Sequence, residues 1–173
     1  MRVIFLDVDG VLNNLEFLKK RQKLLRVYKD MYLPRLDDNN FIVLKELVDK
    51  TEAKLVLSSS WRMFFNEDLI PNDNSFDSPG RNLIEKLNSY GLSLDGRTEL
   101  KGRHEGYLRG DFIRDYLEEH PLIDSFVILD DDNDMREFTD TNLIRTDSLK
   151  GLTRDDIMKA ETIFKKQEKS KRL

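Results

Sequence analysis

Short apolar runs alternate along this chain with stretches whose apolar residues recur at helical spacing. Residues 3–6 (Val-Ile-Phe-Leu) form an unbroken β-branched and aromatic run bounded by polar residues. That is the pattern of a strand buried on both faces, as at the centre of a parallel sheet. Residues 54–57 and 125–129 read the same way, residues 92–94 predict a weaker third strand, and residues 143–145 a fifth. Between them, Asp38 to Asn40 supply capping residues, and Phe41, Leu44, Leu47 and Val48 trace one helical face. Residues 66–80, rich in Asn, Asp, Ser and Pro, predict a loop. Leu83, Ile84 and Leu87 predict a helix over 81–90 that Gly91 stops. Phe112, Ile113, Tyr116 and Leu117 predict another over 109–120, closed by Pro121. Thr153 and Asp156 resemble a capping box that opens a last helix through Ile157, Ala160 and Phe164. The basic tail, residues 165–173, is expected to fray. Strands and helices in this order imply an α/β fold, a mostly parallel central sheet with helices on both faces.

One segment breaks the rhythm. Residues 14–38 form an insert, and from Phe17 to Lys29 it carries Lys19, Lys20, Arg21, Lys23, Arg26 and Lys29 without an acid. Leu18, Leu25, Tyr28 and Tyr32 recur at near-helical spacing and predict an amphipathic helix. Such a face is either simply solvated or, from its position directly after the first strand, a flap that attracts anions. Composition narrows the rest. The 173 residues suit a single domain, 1–173, with no internal repeat. The net charge of −4 makes any polyanion-binding surface a local one. The lack of cysteine excludes disulfides, thiolate metal sites and cysteine nucleophiles, and two histidines disfavour histidine-based zinc sites and triads. No run approaches membrane-spanning length, and the run at residues 3–6 does not read as a secretion signal. A cytoplasmic location is the expectation, with export lacking a cleaved signal left open. No heptad or extended apolar surface pattern points to a dimer, so a monomer is expected.

The chemistry sits where the apolar runs end. Asp7 and Asp9 follow the first run, and Gly10 lets the chain turn away. Asp and Gly are also ordinary turn residues, so this pair alone is weak evidence. Ser58-Ser59-Ser60-Trp61-Arg62 follows the second run and Asp130-Asp131-Asp132 the fourth. If these strands are neighbours, all three clusters meet at one sheet edge, where open α/β sheets bind ligands. An all-oxygen carboxylate group of this kind suits Mg²⁺ rather than zinc. A carboxylate beside such a cation stays ionised and can attack phosphorus. Ser58 and the backbone N–H of Ser59 are candidates for holding phosphoryl oxygens. Arg62 reads either as a substrate-phosphate contact or as a surface salt bridge. Trp61 reads as packing rather than a base-stacking platform, and His104 and His120 read as surface residues.

Asp7-Val8-Asp9-Gly10-Val11-Leu12 resembles the first signature of the haloacid dehalogenase (HAD) phosphohydrolase superfamily. Leu57-Ser58 resembles its second motif, and Ile128-Leu129-Asp130-Asp131 its fourth. More narrowly, Ser58 to Arg62, Arg109-Gly110 and Ile128 to Asp132 resemble a small HAD subgroup that includes domains of RNA-repair proteins. The resemblance implies a three-layer, Rossmann-like fold and Mg²⁺-dependent phosphatase activity through an aspartyl-phosphate. It makes Asp7 the nucleophile and a metal ligand, and Asp9 the general acid/base with its backbone carbonyl on the metal. Ser58 would bind the phosphoryl group, and Asp131 would be the principal acidic ligand. Asp130 would act through water or orient its neighbours, with Asp132 peripheral. The family's third motif is a Lys or Arg; Arg109, Arg103 and Lys101 all qualify by position, and Arg109 is preferred because it opens a helix.

Neither residues 14–38 nor residues 60–81 are long enough for a full cap domain, so an open site is expected. Open-site relatives act on macromolecules, which implies a phosphoprotein, for example a phosphotyrosyl one, or a nucleic-acid terminal phosphate. The alternatives are a small-molecule phosphatase such as a nucleotidase, and a non-catalytic phospho-ligand binding module.

Overall fold

A computed structural model describes residues 1–27, 35–99 and 106–171. Its five-stranded sheet comprises β1 (Arg2–Leu6), β2 (Lys54–Leu57), β3 (Leu94–Arg97), β4 (Ser125–Asp130) and β5 (Leu143–Arg145). The strand order is β3-β2-β1-β4-β5, and every pairing is parallel. The helices are α1 (Leu15–Val27), α2 (Asp38–Thr51), α3 (Pro79–Ser89), α4 (Arg109–Glu119) and α5 (Arg154–Ser170).

Alternation along β1 splits the core into two. Ile4 and Leu6 join Leu55, Leu57, Val127 and Leu129 in a cluster closed by Phe41 and Leu44 of α2, Leu83 and Leu87 of α3, and Ile157 and Phe164 of α5. Val3 and Phe5 point the other way, with Val56 and Ile128, onto Ile113 of α4 and Met135. Successive side chains of a strand face opposite sides, so a strand apolar at every position needs a layer on each face. This explains why residues 3–6 are apolar throughout and why their side chains are fully buried. The architecture is the expected three-layer α/β fold. Among the described residues, the insert that precedes α2 holds only α1, and the stretch between β2 and α3 only a 3₁₀ turn (Ser60–Phe64) with its loop, and neither amounts to a cap domain.

Two boundaries differ from the sequence pattern. The third strand is Leu94–Arg97 rather than residues 92–94. Leu92 instead closes a Schellman turn: its N–H donates to the Leu87 carbonyl (3.0 Å) and that of Gly91 (φ +66°) to Asn88 (2.9 Å). The tail also departs from the expected fraying, since α5 runs past Lys165 to Ser170. Gln167 both donates to the Phe126 carbonyl and accepts from its N–H, each at 2.8 Å, and Glu168 pairs with Arg2. These partners lie far away in sequence, which a local reading of a basic tail does not weigh.

The insert is stitched shut at its base. The Asp37 N–H donates to the Leu12 carbonyl (3.0 Å), and the Asn14 amide donates to Asp37 and Asn40 (2.9 Å each). The Asn14 side-chain oxygen accepts from the Phe17 N–H (2.8 Å) and so caps α1. The predicted helix is present but buries no residue: Phe17, Leu18 and Leu25 are half-buried, while Lys19, Lys20, Lys23 and Arg26 are exposed. Tyr28, Lys29 and Tyr32 lie outside the described residues.

Candidate active site

The parallel register places three polar positions side by side. Leu6 pairs with Leu57 on one side and Leu129 on the other. One step further, the N–H of Asp7 donates to the Leu129 carbonyl (2.9 Å) and that of Ser58 to Leu6 (2.8 Å). Asp7, Ser58 and Asp130 therefore continue the row Phe5, Val56 and Ile128 and emerge on the α4 side of the sheet. Arg109, the first residue of α4, meets them there. Its Nη1 lies 3.1 Å from Asp7 Oδ2 and bonds Asp130 Oδ2, and its Nε is 3.9 Å from Asp134.

The start of α4 is held firmly enough to aim that guanidinium. The Leu108 N–H donates to the Asp111 carboxylate (2.8 Å), and the Gly110 N–H to the Asp134 carbonyl (3.2 Å). Asp111 in turn accepts from Arg114 and Arg136, 3.0 Å each. The other two candidates for the third-motif cation, Lys101 and Arg103, lie outside the described residues, as does His104. His120 lies at the opposite end of α4, exposed and stacked on Tyr116.

Asp7, Asp130 and Asp131 form the acidic cluster among the described residues, with one carboxylate oxygen from each lying within 4.8 Å of the others. Asp7 and Asp130 are buried, Asp131 is half-buried and Asp132 is exposed. Burial pushes the Asp7 carboxyl above its ordinary range, against the pull of Arg109. Burial and then the charge of Asp7 push Asp130 up to about 8, and burial raises Asp131 as well. Burial works against the Arg109 charge, but Asp7, Asp130 and Asp134 outweigh it and raise its pKa further. Fully ionised, three carboxylates against one guanidinium would leave an excess of negative charge, which is why burial raises their pKa values. A small hard cation offsets such an excess, and an all-oxygen donor set fits Mg²⁺.

Gly10 makes this cluster possible. It adopts φ +74°, and a Cβ placed on it would stand 2.3 Å from Asp131 Cγ. The turn after β1 therefore needs glycine twice, for the left-handed backbone and for the space Asp131 occupies. The Thr146 hydroxyl donates to the Gly10 carbonyl (2.8 Å) and Arg145 Nε to that of Asp131 (2.9 Å), tying both loops to the end of β5.

Asp9 behaves differently from its neighbour. The strand pattern of acids two apart suggests that both carboxylates face one cation. In the structure, Asp9 is exposed and its carboxylate is taken up by Trp61 Nε1 (2.8 Å) and Asn13 Nδ2 (2.7 Å), outside the cluster of three. The register continues as far as Asp7, but the chain then turns at Asp9 and Gly10, so the two-residue period does not extend to Asp9.

The serine run divides its duties. Ser58 is buried, and among the described residues its hydroxyl has no hydrogen-bond partner. The Ser59 hydroxyl accepts from the Trp61 N–H (3.2 Å) and so caps the 3₁₀ turn. Arg62 is buried. Its Nη1 donates to Thr98 (2.7 Å), and the guanidinium lies 4.5 Å over the Phe112 ring. Sequence reasoning missed Asn13, Thr98, Asp134 and Thr146. Asn13 alone carries a local signal, as a short amide just beyond the Asp-Gly turn.

Residues 3–157 match the family model described as the HAD domain in Swiss Army Knife RNA repair proteins. No curated protein and no solved structure matches the chain.

Proposed function

The chain belongs to the family of HAD domains in Swiss Army Knife RNA repair proteins, and from that membership we propose a Mg²⁺-dependent phosphatase acting on the terminal phosphate of a nucleic acid. The observation that carries the chemistry is the meeting of Asp7, Asp130, Asp131 and Arg109 beside the unpartnered Ser58 hydroxyl. It supports a phosphoryl site with a carboxylate nucleophile, a cation, and a hydroxyl still free to donate.

Asp7 attacks phosphorus, and the bond from phosphorus to the leaving oxygen breaks. Asp9 donates its proton to that oxygen, so the alcohol leaves neutral and an aspartyl-phosphate remains on Asp7. Water then attacks phosphorus, Asp9 takes up its proton, and inorganic phosphate leaves the regenerated Asp7 carboxylate. Ser58 and the backbone N–H of Ser59 hold the phosphoryl oxygens, with Gly10 leaving room for Asp131 beside them and Arg62 buried against Thr98 and Phe112. Arg109 balances the charge of Asp7 and Asp130. Asp7, Asp131 and the Asp9 carbonyl would hold Mg²⁺, with Asp130 orienting them, and the ion would supply charge neutralisation of the phosphoryl oxygens.

Two features favour a nucleic-acid end over other phosphates. The matched family is described by its RNA repair proteins. The α1 helix, stitched directly to the site loop, exposes Lys19, Lys20, Lys23 and Arg26, and a phosphodiester backbone is the polyanion such a face attracts.

The test is hydrolysis of 3′- and 5′-phosphorylated oligonucleotides, a phosphotyrosyl peptide, a phosphoseryl peptide and mononucleotides, with and without Mg²⁺, beside Asp7→Asn. We expect Mg²⁺-dependent turnover that is fastest on an oligonucleotide and lost in Asp7→Asn. Turnover retained by Asp7→Asn sinks the enzyme reading, and a preference for peptide or mononucleotide sinks the substrate reading.

A further inference from the structure

Asp9 presents a problem that its neighbours do not. Its side chain is exposed, and an exposed carboxylate ordinarily samples several rotamers. A group that must reach a leaving oxygen gains by being held within a few tenths of an ångström of the productive position. The structure supplies two donors for this, one to each oxygen: Trp61 Nε1 to Oδ2 at 2.8 Å and Asn13 Nδ2 to Oδ1 at 2.7 Å.

Both donors are themselves fixed. Trp61 is 8% exposed, its ring packs edge-on against Phe64 at 5.8 Å, and its backbone N–H is held by Ser59. Asn13 is 4% exposed, and its side-chain oxygen accepts from the Gly10 N–H at 3.1 Å. A charged side chain at the surface is thus gripped by two buried ones. The indole packs as an aromatic body, yet its single N–H points at the carboxylate rather than at a backbone carbonyl.

We infer that Trp61 is a positioning residue that, with Asn13, fixes the Asp9 carboxylate for proton transfer to the leaving group. The inference rests on the phosphatase reading and deepens it. Trp61 joins the serine run after β2, which holds phosphate, to the acid/base after β1. A bound phosphoryl group and the proton donor would therefore be registered to one another through a single side chain.

The role has a signature that packing alone does not have. A group that aims a general acid matters most when the leaving oxygen is a poor leaving group and little when it is a good one. The experiment measures kcat/KM for the wild type, Trp61→Phe, Trp61→His, Asn13→Ala, Asp9→Asn and the double variant Trp61→Phe/Asp9→Asn. The substrates are monoesters ranging from an alkyl phosphate to a dinitrophenyl phosphate. We expect Trp61→Phe, which keeps the ring and removes the N–H, to lose about 10- to 100-fold on the alkyl ester. It should lose no more than about threefold on the dinitrophenyl ester, a leaving group needing little protonation. Asn13→Ala should tilt the series in the same sense, Trp61→His should recover part of the alkyl rate, and Trp61→Phe should have no further effect once Asp9 is Asn.

Equal losses across the series, or additive losses in the double variant, overturn the inference while leaving the phosphatase reading intact. A wild type without turnover on any ester overturns the phosphatase reading and this role with it. Trp61 is the only tryptophan, so its emission gives a readout independent of turnover. Asp9→Asn should change that emission and Asp124→Asn should not; an unchanged spectrum overturns the contact itself.

Discussion

Replacing Gly10 with alanine separates two costs that usually arrive together. Gly10 and Gly91 both adopt left-handed backbone, at φ +74° and +66°. An alanine forced into that region costs about 1–2 kcal/mol at either position. At Gly91 a Cβ meets nothing within 4 Å, so strain is the whole effect. At Gly10 the new Cβ would stand 2.3 Å from Asp131 Cγ and 2.4 Å from its Oδ2. Carbon atoms rest about 3.5 Å apart, so the carboxylate has to retreat by roughly 1 Å. A misplacement of roughly that size in a catalytic constellation costs on the order of 100-fold in rate. In EDTA, both variants should therefore melt about 2–8 °C below wild type. Adding Mg²⁺ should raise the melting temperature of wild type and Gly91→Ala, but much less that of Gly10→Ala, whose turnover of an aryl phosphate should drop about 100-fold. If Gly10→Ala tracks Gly91→Ala in both turnover and Mg²⁺ response, the packing of Asp131 on Gly10 has no part in assembling the site.

Arg109→Met should destabilise the fold by about 3–5 kcal/mol, because it strands Asp7 and Asp130 as buried unpaired acids. Arg109→Lys should recover only part of this, since an ammonium lacks the planar fork; urea denaturation checks both, and a loss below about 1 kcal/mol for Met refutes the pairing. Asp7 and Asp130 both have raised pKa values, Asp130 to about 8, so the folded chain holds protons that the unfolded chain releases near pH 4. Their stabilising effect is complete below that pH and is lost as pH climbs towards about 8. Melting temperatures in EDTA should thus fall between pH 5 and pH 8, and a rise across that window contradicts the assignment. Reversing Lys19, Lys20 and Lys23 to Glu should weaken single-stranded oligonucleotide binding and flatten its salt dependence. Aryl phosphate turnover should stay within about twofold, and equal losses on both would remove α1 from substrate capture.

The parts legible in the sequence were those with a local cause. Residues 3–6 are apolar at every position because two layers cover them, so β1 announced both itself and the architecture. The polar positions ending β1, β2 and β4 marked the candidate site, since a parallel sheet aligns strand ends. What escaped depends on partners far apart in the chain. β3, reading Leu-Asp-Gly-Arg at the sheet edge, has no apolar run to reveal it, and the buried Leu92 just before it belongs to a helix end. The bond from Trp61 to Asp9 spans 52 positions and that from Gln167 to Phe126 spans 41. The burial of Arg62 is likewise invisible locally, because its resting places, Thr98 and Phe112, lie on separate elements.

The place of β1 at the middle of the sheet also bears on the order in which the molecule can fold. Residue for residue, Leu6 pairs with Leu57 and with Leu129, and the second pairing closes a loop more than twice as long as the first. Loop closure makes β1–β2 the cheaper half-sheet to form, and α4 lies within the longer loop that the β1–β4 pairing closes. Arg109 precedes Asp130 in the chain, so the helix that leads into β4 carries the counter-charge for the second buried acid. The repulsion that would oppose docking of β4 is met by a counter-charge carried in on the preceding element. Arg109→Met should accordingly slow refolding as well as weaken the folded state, placing this ion pair in the folding transition state.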